Sequence, residues 1–344
     1  MTSILPEDSR LTFSARIGSK TGVKDTAAKA AHVEAAGFDQ IWTGNDLFGE
    51  PGIITLAAIA MATSRIRFGS GVIDPVSLHP GQIAQIATGL QELSDDRFLL
   101  GIGAGSDVFY NWGGLTPPPP VVRTREGVIA IRELLEGRSP AGVPGVAEGW
   151  QPQAKLHNPR PTPIYIGAMG PKMLALTGKV ADGALPLCLP PTHVFGVMDQ
   201  IRAGAEKAGR DFDAMDIAAC IWVSISDDRD EGRWLLARHI ALYSGSLSVD
   251  ALAANGLDPV EFAHAQSLVN DGLEDDAVRY VLSTDTMMNL GIAGGPADVV
   301  EQCGALIDAG VKHISFGPPM GPDTMASLDI LGREVFGPLR AAFV

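Results

Sequence analysis

The sequence predicts an α/β protein built as a (β/α)8 TIM barrel with insertions. Short apolar runs alternate eight times with stretches whose apolar residues recur at helical spacing, over one domain length of 344 residues. Eight alternations favour a closed parallel barrel, with an open Rossmann-type sheet as the alternative. Several of these runs end in glycine. Because the active sites of such barrels lie at the carboxyl ends of the strands, chemistry is expected there.

The predicted strands are short runs rich in apolar and β-branched residues, and the predicted helices are amphipathic stretches that begin or end at proline or glycine. The strands span residues 11–18, 39–44, 66–72, 97–105, 163–168, 183–188, 215–226 and 312–317. The helices span residues 23–38, 52–63, 80–94, 125–137, 171–181, 192–209 and 296–310. We expect a single domain over residues 1–344, with a helical insertion at about 227–290 between the seventh and eighth strands. The proline run 117–120 and the stretch 138–163 are predicted loops.

Composition excludes several classes of partner. A formal net charge of −14 argues against binding to nucleic acid or to an anionic membrane surface, since both require basic patches. The chain has no apolar run of membrane-spanning length and no secretory signal pattern at its N-terminus, so a cytoplasmic protein is expected. Cys188, Cys220 and Cys303 are too far apart for a metal motif, which favours reduced thiols in the core.

The glycine-rich strand ends do not form a dinucleotide-binding fingerprint. GSGVID at residues 69–74 and GIGAGS at 101–106 both lack glycine at the sixth position, and no Walker A loop is present. GAMGPK at residues 167–172 is a better candidate for holding a phosphate. There a strand ends in glycine, Pro171 occupies a favoured first helical position, and Lys172 adds a positive charge. An ordinary turn between strand and helix is the alternative.

Four strand-end stretches together resemble the bacterial luciferase-like superfamily of flavin and deazaflavin enzymes. They are GFDQIWTGND, IRFGSGVIDPVSLHP, RFLLGIGAGSD and PIYIGAMGPKMLALTGKVADG, at residues 37–46, 66–80, 97–107 and 163–183. Residues 291–318 are also similar to the last helix and strand of the superfamily. The form G-x-G-V-x-x-P followed by H-P looks closest to the branch that uses coenzyme F420. That branch includes methylenetetrahydromethanopterin reductase and F420-dependent glucose-6-phosphate dehydrogenase.

This resemblance implies where a cofactor binds. The tricyclic ring would lie across the strand ends, with one face on a bulge formed by a non-prolyl cis peptide bond between Gly71 and Val72. Asp74 matches a position at the polar edge of the ring, Gly105 and Ser106 match positions that meet ring or substrate, and the end of the fifth strand matches the phosphate-holding segment. The residues expected to bind the cofactor are Asn45, Ser70, Gly71, Val72, Asp74, Gly105, Ser106, Ala168, Met169, Gly170, Pro171 and Lys172.

Two positions depart from the F420-dependent relatives. Many of those relatives carry Asp-His after the second strand, and in the sugar dehydrogenase this histidine serves as an acid/base, but this chain has Asn45-Asp46. The glutamate that follows the fourth strand in that dehydrogenase aligns with Ser106, and only the neighbouring Asp107 could replace it. These differences argue against a glucose-6-phosphate dehydrogenase.

The implied function is an F420-dependent oxidoreductase that moves a hydride between the deazaflavin and a small organic substrate. Reduction of a carbonyl or a polarised alkene also needs a proton donor, for which Asp46 and Asp107 are the catalytic candidates. A solvated loop carboxylate or a helix cap is the alternative for each. No histidine or carboxylate spacing indicates a metal site.

Two other functions remain open at this point. One is an FMN-dependent monooxygenase that works with a separate reductase. The other is a non-catalytic member that only binds flavin or serves as a structural partner. Because luciferase relatives usually form dimers through barrel helices, a homodimer is expected, and the apolar helix at residues 52–63 could form its interface.

Overall fold

The structure is a computed structural model that describes residues 11–18, 22–49, 51–246, 249–254 and 256–343. Within these ranges strands and helices alternate along the chain. The strands are β1 (Thr12–Arg16), β2 (Gln40–Thr43), β3 (Arg67–Ser70), β4 (Phe98–Ile102), β5 (Ile164–Ile166), β6 (Gly183–Ala184), β7 (Asp216–Ile225), β8 (Gly291–Gly294) and β9 (His313–Met320). The helices are α1 (Val23–Ala35), α2 (Gly52–Ala62), α3 (Pro80–Leu93), α4 (Asp107–Trp112), α5 (Pro120–Leu135), α6 (Pro171–Val180), α7 (Val194–Lys207), α8 (Arg229–Tyr243), α9 (Val249–Ala254), α10 (Pro259–Asn270), α11 (Glu274–Leu282), α12 (Asp285–Met288), α13 (Pro296–Asp308), α14 (Thr324–Ile330) and α15 (Phe336–Ala342).

Eight of the strands close into a parallel barrel, which confirms the predicted fold class. The order around the barrel is β1–β2–β3–β4–β5–β6–β7–β9, and β9 pairs with β1. The strand predicted as the eighth is therefore β9. The additional strand β8 pairs with β7 and was not predicted. Its sequence, Gly-Ile-Ala-Gly, contains one β-branched residue and so carries no strand pattern.

Two helical segments also differ from the sequence prediction. Residues 107–112, predicted as loop, form α4, which at six residues is too short to show a helical period. Helix α5 begins at Pro120 rather than at residue 125, because proline is well suited to the first helical position. The last proline of the predicted loop 117–120 is thus part of a helix.

The chain divides into two compact units. Of the described residues, the first unit contains those within 16–186 and 198–217, and the second contains those within 11–15, 187–197 and 218–343.

The core of the first unit combines aromatic rings with glycines that make room for them. The rings of Trp42 and Tyr165 meet edge to face at 4.9 Å. A Cβ atom at Gly69 would lie 2.3 Å from Trp42, and one at Gly183 would lie 2.2 Å from Tyr165. Tyr165 Oη also donates a hydrogen bond of 2.8 Å to Asp216 Oδ2, so its polar end is satisfied inside the core.

The second unit has its own apolar core, which includes the helices that follow β7. Leu236, Ile240, Phe262 and Val278 belong to one buried cluster contributed by α8, α10 and α11. This explains why residues 227–290, with their mixed polar and apolar sequence, are helical: each helix buries one apolar side against its neighbours.

The three cysteines are buried, as predicted for core thiols. Burial raises the pKa of Cys303 to about 12, so this thiol is unreactive at neutral pH. Among the described residues, no helix has both the length and the apolar character needed to cross a bilayer.

Glu34 fastens α1 to the turn that enters β3. Its carboxylate accepts backbone hydrogen bonds of 3.0 Å from Ser64, 2.6 Å from Arg65 and 2.8 Å from Ile66. Burial alone would raise the pKa of Glu34, but these backbone donors and the Ser64 hydroxyl outweigh it, and the pKa is lowered.

We expect Glu34→Gln to destabilise the protein at pH 7 by about 1–2 kcal/mol, because charge-assisted hydrogen bonds are lost. Since the folded-state pKa is lowered, this contribution is present above the unfolded-state pKa of about 4.3 and is lost as pH falls through the folded-state pKa. The stability gap between wild type and variant, measured by urea denaturation, should therefore narrow below about pH 5. Glu92→Gln, at an exposed position of α3, is the control. A gap of constant size down to acid pH would contradict this role.

Candidate active site at the strand ends

A bulge follows β3 at the carboxyl end of the barrel. The peptide bond between Gly71 and Val72 is cis, which confirms the prediction made from the resemblance. Gly71 N donates a hydrogen bond of 2.8 Å to Thr43 O, and Asn45 N donates one of 3.3 Å to Val72 O. These two bonds join the bulge to the end of β2.

The other side of the bulge is joined to β4. Ile73 N donates to Gly101 O at 2.9 Å, and Gly103 N donates to Ile73 O at 3.0 Å. The Ser70 hydroxyl is fully buried, donates to Gly101 O and accepts from Gly101 N, both at 2.9 Å. Ser70, expected to contact the cofactor, thus has its hydroxyl engaged between two strands.

The Val72 side chain sits in a socket formed by two glycines. A Cβ atom at Gly103, just after β4, would lie 2.3 Å from Val72 Cγ2, and one at Gly167, just after β5, would lie 2.9 Å from Cγ1. Such distances are far shorter than a van der Waals contact, so only glycine admits this side chain at both positions. Val72 is therefore held at the end of three consecutive strands.

A cleft adjoins the bulge and brings together six of the predicted site residues. Its walls are formed by Asn45, Asp46, Leu47, Val72, Asp74, Gly105, Ser106, Phe109 and Tyr110. Leu47, Phe109 and Tyr110 were not predicted. The two aromatic residues belong to α4, whose region was predicted as loop, and the only sequence signal was their position directly after a glycine-rich strand end.

Asp74 is the most heavily hydrogen-bonded group of the cleft. Its carboxylate accepts bonds of 2.9 Å from Val76 N and 2.6 Å from Ser77 N, and a third from the Ser77 hydroxyl. Tyr110 Oη donates a fourth, of 2.7 Å, to Asp74 Oδ1. The buried carboxylate is thus fixed by its own turn and by α4.

Tyr110 connects this carboxylate to the loop after β4. Its hydroxyl also lies 2.9 Å from Ala104 O, which accepts a bond of 2.9 Å from Arg123 Nε. The guanidinium of Arg123 lies 5.1 Å from the centre of the Tyr110 ring. Gly105 has a φ of 70°, and a Cβ there would lie 2.0 Å from the hydroxyl, so the loop requires glycine. Burial, and then Asp74, raise the pKa of Tyr110, which stays protonated as a donor.

Asp46 differs from Asp74 in its surroundings, because its carboxyl group is influenced by burial and by the charge of Asp74 rather than by hydrogen-bond donors. Partial burial of its carboxyl group, and then the negative charge of Asp74, raise the pKa of Asp46 above its ordinary value. Two carboxyl groups in one cleft with different surroundings are a common arrangement for an acid and a fixed anion. The surroundings of Asp46 therefore favour the protonated form of its carboxyl group.

Asp107, the second catalytic candidate, is placed differently. Its carboxylate is paired with Arg123 Nη2 at 3.0 Å, and 69% of its side chain is exposed. It follows Ser106, the residue that precedes α4, and is absent from the cleft walls. Asp107 thus helps to hold the buried Arg123.

The predicted phosphate-holding segment forms the start of α6. Gly170 precedes the helix and its carbonyl accepts hydrogen bonds of 3.0 Å from the backbone of Met173 and Leu174. Pro171 is the first helical residue, and Lys172 is exposed. Ala168, Met169, Gly170, Pro171 and Lys172 do not line the cleft, but Gly167 links this segment to Val72. Among the described residues, no group of three histidine, cysteine or carboxylate side chains is arranged as metal ligands.

Gly103→Ala tests the socket directly. The new methyl group would collide with Val72, and overpacking of this kind costs about 1–3 kcal/mol. In a Val72→Ala background the colliding methyl groups are absent, so the same substitution should cost much less. Urea denaturation of the four proteins in this double-mutant cycle measures the difference. Gly89→Ala, where a Cβ meets nothing within 4 Å, is the control. An equal cost in both backgrounds would show that Val72 is not held by Gly103.

Comparison with known proteins agrees with this geometry. The family model described as luciferase-like monooxygenase matches residues 10–313. A 5,10-methylenetetrahydromethanopterin reductase of Methanolobus tindarius is 31% identical over 91% of this chain and 97% of its own. An F420-dependent glucose-6-phosphate dehydrogenase of Nakamurella multipartita is 28% identical over 93% of this chain and 94% of its own.

A solved structure extends the similarity to three dimensions. The coenzyme F420 dependent tetrahydromethanopterin reductase of Methanopyrus kandleri superposes with a TM-score of 0.86 at 25% identity, over 95% of this chain and 99% of that one. Since the family model spans most of the sequence, including the strand-end cleft and the first seven strands of the barrel, the chain belongs to the luciferase-like monooxygenase family.

Proposed function

We propose that this protein is a coenzyme F420-dependent oxidoreductase that transfers a hydride between the deazaflavin and a small organic substrate. The observation that carries the proposal is Val72, held in a two-glycine socket beside the acidic cleft. Relatives that cover nearly the whole chain support it, since they include an F420-dependent dehydrogenase and an F420-dependent reductase.

The residues at the strand ends suit a flat cofactor. Val72 offers a rigid, half-buried apolar side chain, and Gly71 beside it is exposed, so a ring can approach the bulge without a clash. Asn45 and Asp74 place polar groups at the same cleft, where they would hold the ring edge. The segment 168–172 would hold the phosphate, with Lys172 as the positive charge.

When bound, F420 supplies the carbon atom that gives or accepts hydride. The protein would hold a substrate carbon near that atom and supply the proton that the reduction needs. Asp46 would hold a proton at its carboxyl oxygen and give it to a reduced carbonyl or alkene, which its raised pKa favours. Asp74 stabilises that protonated form through its negative charge.

We expect the substrate to differ from the sugar phosphate of the F420-dependent glucose-6-phosphate dehydrogenases. Their histidine and glutamate are replaced here by Asp46 and Ser106, so the acid of this site is a carboxyl group. The expected homodimer stays a prediction, and the outward side of α2, with Ile54 and Met61 exposed by 59% and 72%, is its candidate surface.

Binding titrations of the full chain with F420 and with FMN test the cofactor. We expect F420 to bind at least about tenfold more tightly than FMN, and Val72→Ala to weaken F420 binding. Tight FMN binding with no F420 binding would instead support a monooxygenase that works with a separate reductase. If neither cofactor binds, the protein is a non-catalytic member of the family.

The pH dependence of stability tests Asp46. Because its folded-state pKa is raised above the unfolded value of about 3.9, the folded state loses stability as pH rises between the two values and stays lower above them. Asp46→Asn removes this loss, so the variant should gain stability over wild type at pH 7 but not at pH 3.5 or below, in urea titrations.

Asp107→Asn is the matched control, since its carboxylate is exposed and paired with Arg123. It should show no such gain at neutral pH. In turnover, the rate of substrate reduction by the wild type should fall as pH rises through the pKa of Asp46. The Asp46→Asn variant should reduce substrate slowly, at a rate that does not change with pH over this range. A wild-type reduction rate that does not depend on pH over this range would rule out Asp46 as the proton donor.

A further inference from the structure

The mouth of the cleft is bordered by apolar side chains from two segments. Leu47 and Phe109 form part of the cleft wall. Phe48 and Trp112, next to them, are exposed by 64% and 68%. We call Leu47, Phe48, Phe109 and Trp112 the apolar rim. Exposed apolar side chains scattered singly are ordinary, but a group of them beside a cleft indicates a binding surface.

The members of the rim lie near one another around the end of α4. The rings of Phe109 and Trp112 lie 5.4 Å apart at an angle of 49°. Gly113, which follows α4, is the point where the two segments meet. A Cβ atom there would lie 3.3 Å from Leu47 Cδ2 and 3.5 Å from Phe48 Cζ.

The backbone of Phe48 supports a functional reading of its exposed ring. Its φ of 65° lies in the left-handed region, which is unfavourable for a bulky residue. The loop keeps an aromatic ring at this position although glycine or asparagine would relieve the backbone. Strain of this kind is concentrated at ligand-binding sites.

Charge limits what the rim can accept. The charged side chains in the described wall of the cleft are Asp46 and Asp74, both acidic. The chain as a whole carries a formal charge of −14. A substrate with a carboxylate or phosphate at this end would be repelled, while a neutral ring would stack on the aromatic rim.

We propose that the apolar rim binds the substrate's flat, uncharged aromatic or conjugated ring and thereby selects substrates of that class. The inference rests on the proposed function for the reaction, but the preference itself is a property of the rim. Phe48 and Trp112 are its specificity-determining residues. A second copy of the chain packed on the same surface is the competing use of these side chains.

Three small probes separate the effects of aromaticity and of charge on binding to the rim. Acetophenone is neutral and aromatic, cyclohexyl methyl ketone is its saturated counterpart, and benzoate carries a negative charge. Their dissociation constants for the full chain, with and without F420, are measured by isothermal titration calorimetry. We expect acetophenone to bind about three- to tenfold more tightly than cyclohexyl methyl ketone, and benzoate to bind most weakly.

The variants Trp112→Leu and Phe48→Leu keep an apolar side chain but remove the ring. Each should reduce the preference for acetophenone over the saturated ketone to about twofold or less. Trp234→Leu, at an exposed tryptophan on α8, is the matched control and should leave the preference unchanged. Because both rim residues are exposed, the variants should fold, which thermal denaturation verifies.

The outcomes separate this inference from the proposed function. If F420 binds but the three probes bind equally, or the preference survives both rim variants, the rim inference is wrong and the cofactor assignment stands. If F420 does not bind while the preference for acetophenone is present and lost in the variants, the rim is supported and the proposed function is wrong. Dimers that dissociate in Trp112→Leu but not in Trp234→Leu would assign the rim to self-association instead.

Discussion

The candidate site depends on the contact between one valine and two glycines. Val72 can lie at the strand ends only because Gly103 and Gly167 leave the space that its two methyl groups fill. The hydrogen bonds of Gly71 to β2 and of Ile73 to β4 fix the bulge from both sides. A barrel whose strands ended in larger residues would force this side chain away from the cleft. Gly103 and Gly167 are therefore required for the packing of the bulge.

A second set of contacts connects the bulge to the helix at the cleft mouth. Asp74 follows the bulge and is held by Tyr110, whose helix α4 also carries Phe109 and Trp112. Arg123 fixes the loop before α4 through Ala104, while Asp107 holds Arg123 from the solvent side. The polar interior and the apolar rim are thus parts of one assembly. A change in Tyr110 would be felt both at the buried carboxylate and at the rim.

The barrel was predictable because most of its strands and helices have a local sequence pattern. The resemblance carried by the strand-end motifs implied the cis bond and six of the residues that line the cleft. What could not be predicted depends on distant contacts. Tyr110 belongs to a six-residue helix without a visible period, and its role appears only when Asp74 is brought to 2.7 Å from its hydroxyl. Asp46 and Asp107 look alike in sequence, but the structure places Asp46 in the cleft wall and leaves Asp107 exposed and paired with Arg123. Strand β8 could not be predicted because its sequence, Gly-Ile-Ala-Gly, has too few side chains to form a strand pattern.

The substitution of an aspartate for the histidine of related enzymes then has a physical consequence. An isolated aspartate is ionised at neutral pH and is a poor donor, so it can replace a histidine only if its protonated form is stabilised. Partial burial does part of this, and the charge of Asp74 adds to it. Val76, Ser77 and Tyr110 all donate hydrogen bonds to the Asp74 carboxylate and so fix its position in the cleft. In the proposed reaction, the raised pKa of Asp46 would therefore depend on the bulge and on α4 together, and a carboxyl group would take the place of the histidine.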